Sequence, residues 1–234
     1  MKTHLKLMNP TKRLMPIAVN LLLGAISLTQ QAQAVNLLVD PEFDGIPPLN
    51  TLPTVFGPPF ITGQWGAENG AILAIDGGVT PLTAKTMLAE YYTGTTYSQT
   101  MQATDVSANP ALSSFLFSAY FNANMNVPAA QAFVNVSFYD ASYNYLGMAP
   151  SVGLTLDNST STWEQISVTA TEPLNTKYLV SQVMYLESSL LNANGAVYPG
   201  YVDSASLTVV PEPSLLSLVG LGAMSLFLSR NRRS

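Results

Sequence analysis

Fourteen carboxylates, eleven tyrosines and no cysteine set the chemistry open to this chain. All fourteen acids lie between Asp40 and Glu212, whereas the one histidine is His4. Of the nine basic residues, only Lys85 and Lys177 fall between residues 35 and 229. Two bases against fourteen acids give that interval a charge of −12, although the whole chain is −5. So acidic a surface has no electrostatic hold on nucleic acid or anionic lipid. Without His or Cys, the interval contains no Ser-His-Asp or Cys-His nucleophile, no zinc site of the usual ligands and no disulfide. Carboxylates, rings, amides and hydroxyls remain. Two carboxylates at a set separation suffice for glycoside hydrolysis. Fourteen acids supply many pairs, however, and no motif selects one, so no catalytic residue is assigned and no enzyme is expected. Rings beside amides suit the C–H faces and hydroxyls of a sugar. The run Tyr-Asp-Ala-Ser-Tyr-Asn-Tyr places Tyr139, Tyr143 and Tyr145 around a polar turn, and Tyr91 and Tyr92 stand beside another polar loop. These five are the candidate ligand-binding residues. Packing against sheet surfaces would suit the same rings, as it would Trp65, Tyr97, Tyr120, Tyr198 and Tyr201, while Trp163 reads as core.

The elements that must position these side chains are strands. Phe115, Phe117, Ala119 and Phe121 alternate with Leu116, Ser118 and Tyr120. Val134, Val136 and Phe138 alternate with Asn135 and Ser137. The same period of two runs through Ile166, Val168 and Ala170, and through Leu207 and Val209. A period of two predicts half-buried strands. Turn sequences separate them: Asp76-Gly77-Gly78, Ala108-Asn109-Pro110, Asp157-Asn158-Ser159 and Asn194-Gly195. Residues 46–60 are proline-rich and read as a long loop. No stretch between the ends has a helical period. The pattern predicts one all-β domain over residues 35–208, a single antiparallel β-sandwich.

The two ends carry different information. Lys2, Lys6, Lys12 and Arg13 precede an apolar run from Leu14 to Leu28, which closes on Ala32-Gln33-Ala34. Basic, apolar, then small is the order of a secretory signal peptide, expected over residues 1–34 with cleavage by signal peptidase after Ala34. At the other end Pro211-Glu212-Pro213 precedes an apolar run over 215–228, followed by Arg230, Arg232 and Arg233. The run is near the lower length for a transmembrane helix, and the arginines hold their side in the cytoplasm. Both ends thus place residues 35–213 outside. In its three parts and their order, the segment 209–234 resembles the PEP-CTERM sorting signal. That resemblance implies a Gram-negative bacterium, recognition and cleavage by an exosortase near Pro211-Glu212-Pro213, an inner-membrane-anchored precursor, and delivery to the cell surface or extracellular matrix.

A second resemblance covers the middle. The opening Asn36-Leu37-Leu38-Val39-Asp40-Pro41-Glu42-Phe43-Asp44-Gly45, the strand Thr162-Trp163-Glu164-Gln165-Ile166-Ser167-Val168-Thr169 and the closing Tyr201-Val202-Asp203-Ser204-Ala205-Ser206-Leu207 are similar to segments of galactose-binding-domain-like jelly rolls. Many carbohydrate-binding modules belong to that group. Pro41 stands where the group has glycine, and Asp44 where it has Glu. The resemblance implies a jelly-roll-like sandwich and a structural Ca2+ held in part by Asp44 and Asp203, since Ca2+ takes six to eight oxygens including carbonyls. Together the two resemblances imply an exported surface or matrix protein that binds or organises extracellular polysaccharide. A structural or adhesive protein acting through protein contacts, and a carboxylate-dependent glycoside hydrolase, are the alternatives.

Overall fold

The computed structural model describes residues 35–45, 59–68, 72–74, 79–82, 87–90, 96–124, 126–127, 129–157 and 159–211. The signal peptide with Ala32 and Ala34, the rings Tyr91 and Tyr92, the tail residues Glu212 and Pro213, the apolar run 215–228 and the arginines Arg230, Arg232 and Arg233 lie outside the described residues. So does most of the proline-rich segment. Among the described residues, no helix is long and apolar enough to cross a membrane.

Val35–Val210 forms one compact unit, two residues longer than the expected domain because the last strand continues to Val210. Its strands are β1 (Trp65–Glu68), β2 (Ile72–Ala74), β3 (Met87–Glu90), β4 (Tyr97–Asp105), β5 (Ser114–Ala123), β6 (Gln131–Tyr139), β7 (Tyr145–Met148), β8 (Val152–Thr155), β9 (Glu164–Thr171), β10 (Tyr178–Leu186) and β11 (Gly200–Val210). They form two antiparallel sheets. One has the order β1-β4-β10-β6-β7, with β8 also on β6, and the other β2-β3-β11-β5-β9. One 3-10 turn, Glu187–Leu190, follows β10.

The alternation read from the sequence sets which face each residue takes. Phe115, Phe117, Ala119 and Phe121 of β5, Ile166, Val168 and Ala170 of β9, and Leu207 of β11 meet Ala132, Val134, Val136 and Phe138 of β6 across one buried core. Trp163 departs from the expectation. It is half-buried, its Nε1 donates to the Thr80 carbonyl at 3.0 Å, and it packs on Val79, Met87, Ala89 and Tyr201 outside the five-stranded sheet. The indole in the core is Trp65. Trp163 directly precedes β9, so its ring is not carried on the strand face that Ile166 presents to the core.

The opening segment is fastened to the closing strand. Leu37 N–H donates to the Leu207 carbonyl, and Ala205 N–H donates to the Pro41 carbonyl. The Asn36 amide takes the Leu207 N–H and donates to the Ala205 carbonyl. Phe43 then turns inward with a left-handed φ of 58° and meets Trp65 at 4.9 Å. The Trp65 indole N–H donates back to the Asp40 carbonyl at 2.9 Å. At the same place β11 carries a bulge between Asp203 and Ser206. The bulge switches which residues face inward, so Val202 and then Ala205 and Leu207 all reach the core.

Beyond this apolar centre the two sheets are joined by buried polar groups. Tyr185 of β10 directs its hydroxyl to the carbonyls of Asn122 and Tyr201 in the opposite sheet, at 2.9 and 2.7 Å. Its ring lies over Gly200, where a Cβ would come within 2.6 Å of ring carbons. Glu90 of β3 is fully buried and accepts a 3.0 Å hydrogen bond from Ser98 of β4. Burial drives the Glu90 carboxyl up to about 7, and the carboxyl of Glu187, itself buried, acts in the same direction.

Candidate functional site

The face of the six-stranded sheet turned away from the core is where the described candidate rings gather. On β6 the core takes Ala132, Val134, Val136 and Phe138, so the pleat points Phe133, Asn135, Ser137 and Tyr139 outward. On β10 the outward set is Tyr178, Val180, Gln182 and Met184. Met101 and Ala103 of β4 pack with Val180 on that same face, with Phe60 and Tyr139 against them. Register aligns these residues into rows across the strands. Met101 lies beside Gln182 and Gln182 beside Asn135; next come Ala103, Val180 and Ser137; then Asp105, Tyr178 and Tyr139. β7 extends the last two rows by placing Met148 opposite Ser137 and Tyr145 opposite Tyr139.

The rings at the end of this face form one cluster. Phe60 meets Tyr139 edge-on at 4.8 Å, Tyr178 at 5.8 Å and Tyr143 at 5.7 Å. Tyr139 meets Tyr145 at 5.6 Å. Tyr143 stacks on Tyr178 with centroids 5.2 Å apart and planes 9° from parallel. That stack depends on local turn chemistry. In the β6–β7 hairpin, Asp140 accepts the backbone N–H groups of Ser142 and Asn144 at 2.8 and 2.9 Å, and the Asn144 amide at 2.8 Å. The Asn144 amide is the main reason the Asp140 carboxyl sits below its usual range. Tyr143 N–H closes on the Asp140 carbonyl at 3.1 Å, and Tyr143 takes a left-handed φ of 65°. A type I turn followed by a left-handed residue is a common hairpin connection, usually with Gly or Asn in that place. Here a tyrosine holds it, which swings the ring back over Tyr178.

Lys177 adds charge to the cluster. Its Nζ lies 5.2 Å from the Tyr178 ring centroid, a distance at which the ring face attracts a cation. Hydrogen bonding with Tyr178 raises the Lys177 ammonium above its ordinary value. The Tyr143 phenol is raised through its contact with Tyr178, and burial raises that of Tyr139. All three phenols of the original motif, Tyr139, Tyr143 and Tyr145, are therefore brought together. Tyr145 is the most open of them, 56% exposed.

Phe60, Tyr178 and Lys177 were not among the residues expected from sequence. Tyr178 carried little signal, since residues 178–185 are apolar at both parities and show no period of two. Phe60 carried none, because it follows a proline-rich stretch with no period. Of the remaining rings, Tyr201 is fully buried and Trp65 belongs to the core.

The carboxylates expected to hold a metal lie elsewhere, at the bulge of β11. Asp203 is fully buried, and its two oxygens accept the N–H groups of Leu82 at 2.8 Å and Ser204 at 2.7 Å. Asp44 is exposed. Glu42, which sequence reasoning passed over, accepts the Ser204 hydroxyl at 3.1 Å through Oε1. Its Oε2 is buried without a hydrogen-bond partner. Among the described residues, no group of three or more His, Cys, Asp or Glu side chains gathers closely enough to hold a metal ion.

Residues 209–233 match the model of the PEP-CTERM protein-sorting motif, which marks an exported, membrane-anchored substrate of exosortase sorting. No curated protein matches the chain by sequence. Among solved structures, the chain is similar to a family 61 carbohydrate-binding module in complex with β-1,4-galactotriose. Identity there is 12% and the TM-score 0.49, over 75% of this chain and 99% of that one. It is similar also to the C-terminal family 22 carbohydrate-binding module of a Clostridium thermocellum protein, at 15% identity and TM-score 0.46, over 65% and 91%. A xylan-binding domain of family 22 matches at 14% and 0.46, over 69% and 95%. What those modules bind is a property of those modules.

Proposed function

We propose that the exported domain is a non-catalytic module that binds extracellular polysaccharide and holds it at the cell surface or matrix of a Gram-negative bacterium. The observation that carries the reading is the ring cluster at one end of the outer face of the six-stranded sheet: Tyr139, Tyr143 and Tyr145 with Phe60 and Tyr178. Rings of this kind offer flat apolar area to the C–H face of a sugar, while phenol hydroxyls and neighbouring amides meet its hydroxyls.

Affinity electrophoresis in gels containing extracellular polysaccharide from the producing organism tests this. The wild-type chain is expected to be retarded, and the Tyr139→Ala/Tyr145→Ala double variant to run freely. Equal migration of the wild type with and without polymer would remove the reading for that polymer. Release of new reducing ends would instead identify a hydrolase. The exposed edge formed by Tyr145, Met148, Val152 and Leu154 favours a second reading, in which the domain adheres to protein partners.

A structural Ca2+ belongs to the same proposal. Its support is that Asp203 and Glu42 converge on Ser204 and that Glu42 Oε2 is buried unpartnered, with Asp44 close by in the chain. Backbone carbonyls would complete the oxygen shell. Binding to the folded form alone adds about 2.7 kcal/mol of stability at a hundredfold excess over Kd. A rise in Tm with Ca2+ over EGTA is therefore expected, absent in Asp203→Asn. An unchanged wild-type Tm would sink the metal.

A further inference from the structure

Next to the ring cluster the sheet face sets three polar side chains, Asn135, Ser137 and Gln182, among Met101, Ala103 and Val180, and those polar groups are poorly satisfied. Asn135 is only 6% exposed. Its Nδ2 donates to the thioether sulfur of Met148 at 3.6 Å, and its Oδ1 has no partner at all. Its cross-strand neighbour Gln182 likewise donates through Nε2 to a sulfur, that of Met101, at 3.8 Å. Ser137, one pleat repeat from Asn135 towards the rings, donates to Gln182 Oε1 at 3.4 Å. Thioether sulfur is a weak acceptor, and an oxygen pair at 3.4 Å is well beyond the usual distance for a hydroxyl donor. Val or Thr at these positions would suit the pleat and demand less. A buried amide left this short of partners, beside a half-buried one, requires a reason for being there.

We infer that Asn135, Gln182 and Ser137 form the hydroxyl-reading floor of a saccharide subsite, continuous with the ring wall of Tyr139 and Tyr145. The inference rests on the reading of the ring cluster as a sugar site. A primary amide presents one acceptor and two donors side by side, which matches two vicinal hydroxyls of a pyranose, each able to donate and accept. The methionine sulfurs that now meet the amides are held on flexible, unbranched side chains. Met148 is 55% exposed and lies on the short strand β7. With more than half of its surface open, the Met148 side chain has space in which to withdraw, and sugar hydroxyls replace its sulfur at Asn135. A neutral polar floor also suits a neutral sugar, since no charge has to be stripped of water on binding.

The test pairs binding with stability, because a purely structural network and a subsite respond oppositely. Asn135→Val and Gln182→Leu keep the volume and remove the amides. Each is expected to weaken retardation by the extracellular polysaccharide about tenfold, while the urea midpoint of the full chain stays unchanged or rises. A lowered midpoint would show that the amides serve the fold, and full retardation with an unchanged midpoint would show that they serve no ligand; either overturns the inference. Thr169→Ala, on the outer face of the other sheet, is the control that keeps wild-type retardation. The two readings fail separately. Loss of wild-type binding removes the ring-cluster reading and this one together. Binding that vanishes in Tyr139→Ala/Tyr145→Ala but survives in both amide variants removes this one alone.

Discussion

Raising the pH from 4.5 to 8 is expected to lower the stability of the domain by about 3 kcal/mol through Glu90. The unfolded carboxyl titrates near 4.5, whereas burial holds the folded one near 7. Below 4.5 both forms carry the proton, and the favourable contribution of the neutral group is complete. Between 4.5 and 7 only the folded chain keeps the proton, and above 7 the fold must either ionise a buried carboxyl or open. Each unit of difference is worth about 1.4 kcal/mol, and the stabilisation is lost as pH rises through the folded value.

The groups facing Glu90 support this sign. Ser98 and Thr100 on β4 favour the charged form, but they offset burial only in part, while Glu187 opposes it. Tyr185 on β10 adds a phenol rather than a cation, and that phenol is itself pushed well up by burial. Glu172, raised by burial at the start of the next loop, adds in the same direction. Asp105 and Asp140, both lowered by hydrogen bonds, act only below the ordinary carboxylate range and leave the window clear. Thermal unfolding at several pH values measures the effect. At roughly 2–4 °C per kcal/mol for a domain of this size, the wild-type Tm should fall by roughly 10 °C. Glu90→Gln should flatten the slope. A Tm that rises across this range, or a slope that survives in Glu90→Gln, would contradict the assignment.

The second large effect is expected at Phe43. Phe43→Ala removes a fully buried ring that seats on Trp65 and holds the opening segment against β11. Truncations of this kind cost about 3–5 kcal/mol. Phe43 sits at a positive φ, where Ala is no better suited than Phe, so relief of the backbone does not soften the loss. Phe43→Leu keeps most of the apolar volume and should cost distinctly less. Urea unfolding reads the difference, and a Phe43→Ala cost under about 1 kcal/mol would show that the clasp between the two ends of the domain is incidental.

The strands were legible because each buries one face. Phe115 to Phe121 and Ile166 to Ala170 alternate so regularly that both period and orientation could be read directly, and β5 and β9 bear this out. The fastening of the opening segment to the closing strand could not be read from period, because residues 36–45 have none. Trp163 was misplaced for a related reason. A ring just before a strand begins is not fixed to either face by the pleat, and this one was free to cover the outside. Site residues divide in the same way. Tyr139 and Tyr145 flank a hairpin turn, so pairing brings them side by side. Tyr143 reaches the cluster through a left-handed turn, which Asp140 and Asn144 announced in retrospect. Phe60 and Lys177 come from distant segments, and their meeting depends on the order β4-β10-β6, which no local pattern encodes.

That β11 lies inside its sheet, hydrogen-bonded to β3 on one side and β5 on the other, has a mechanical consequence. The strand ends at Val210, two residues into the matched sorting motif and immediately before Pro211. Tension applied through the tail therefore enters the domain along a central strand rather than at an edge. It must shear the two flanking ladders and the backbone links to Leu37 and Pro41 together, not peel them open one bond at a time.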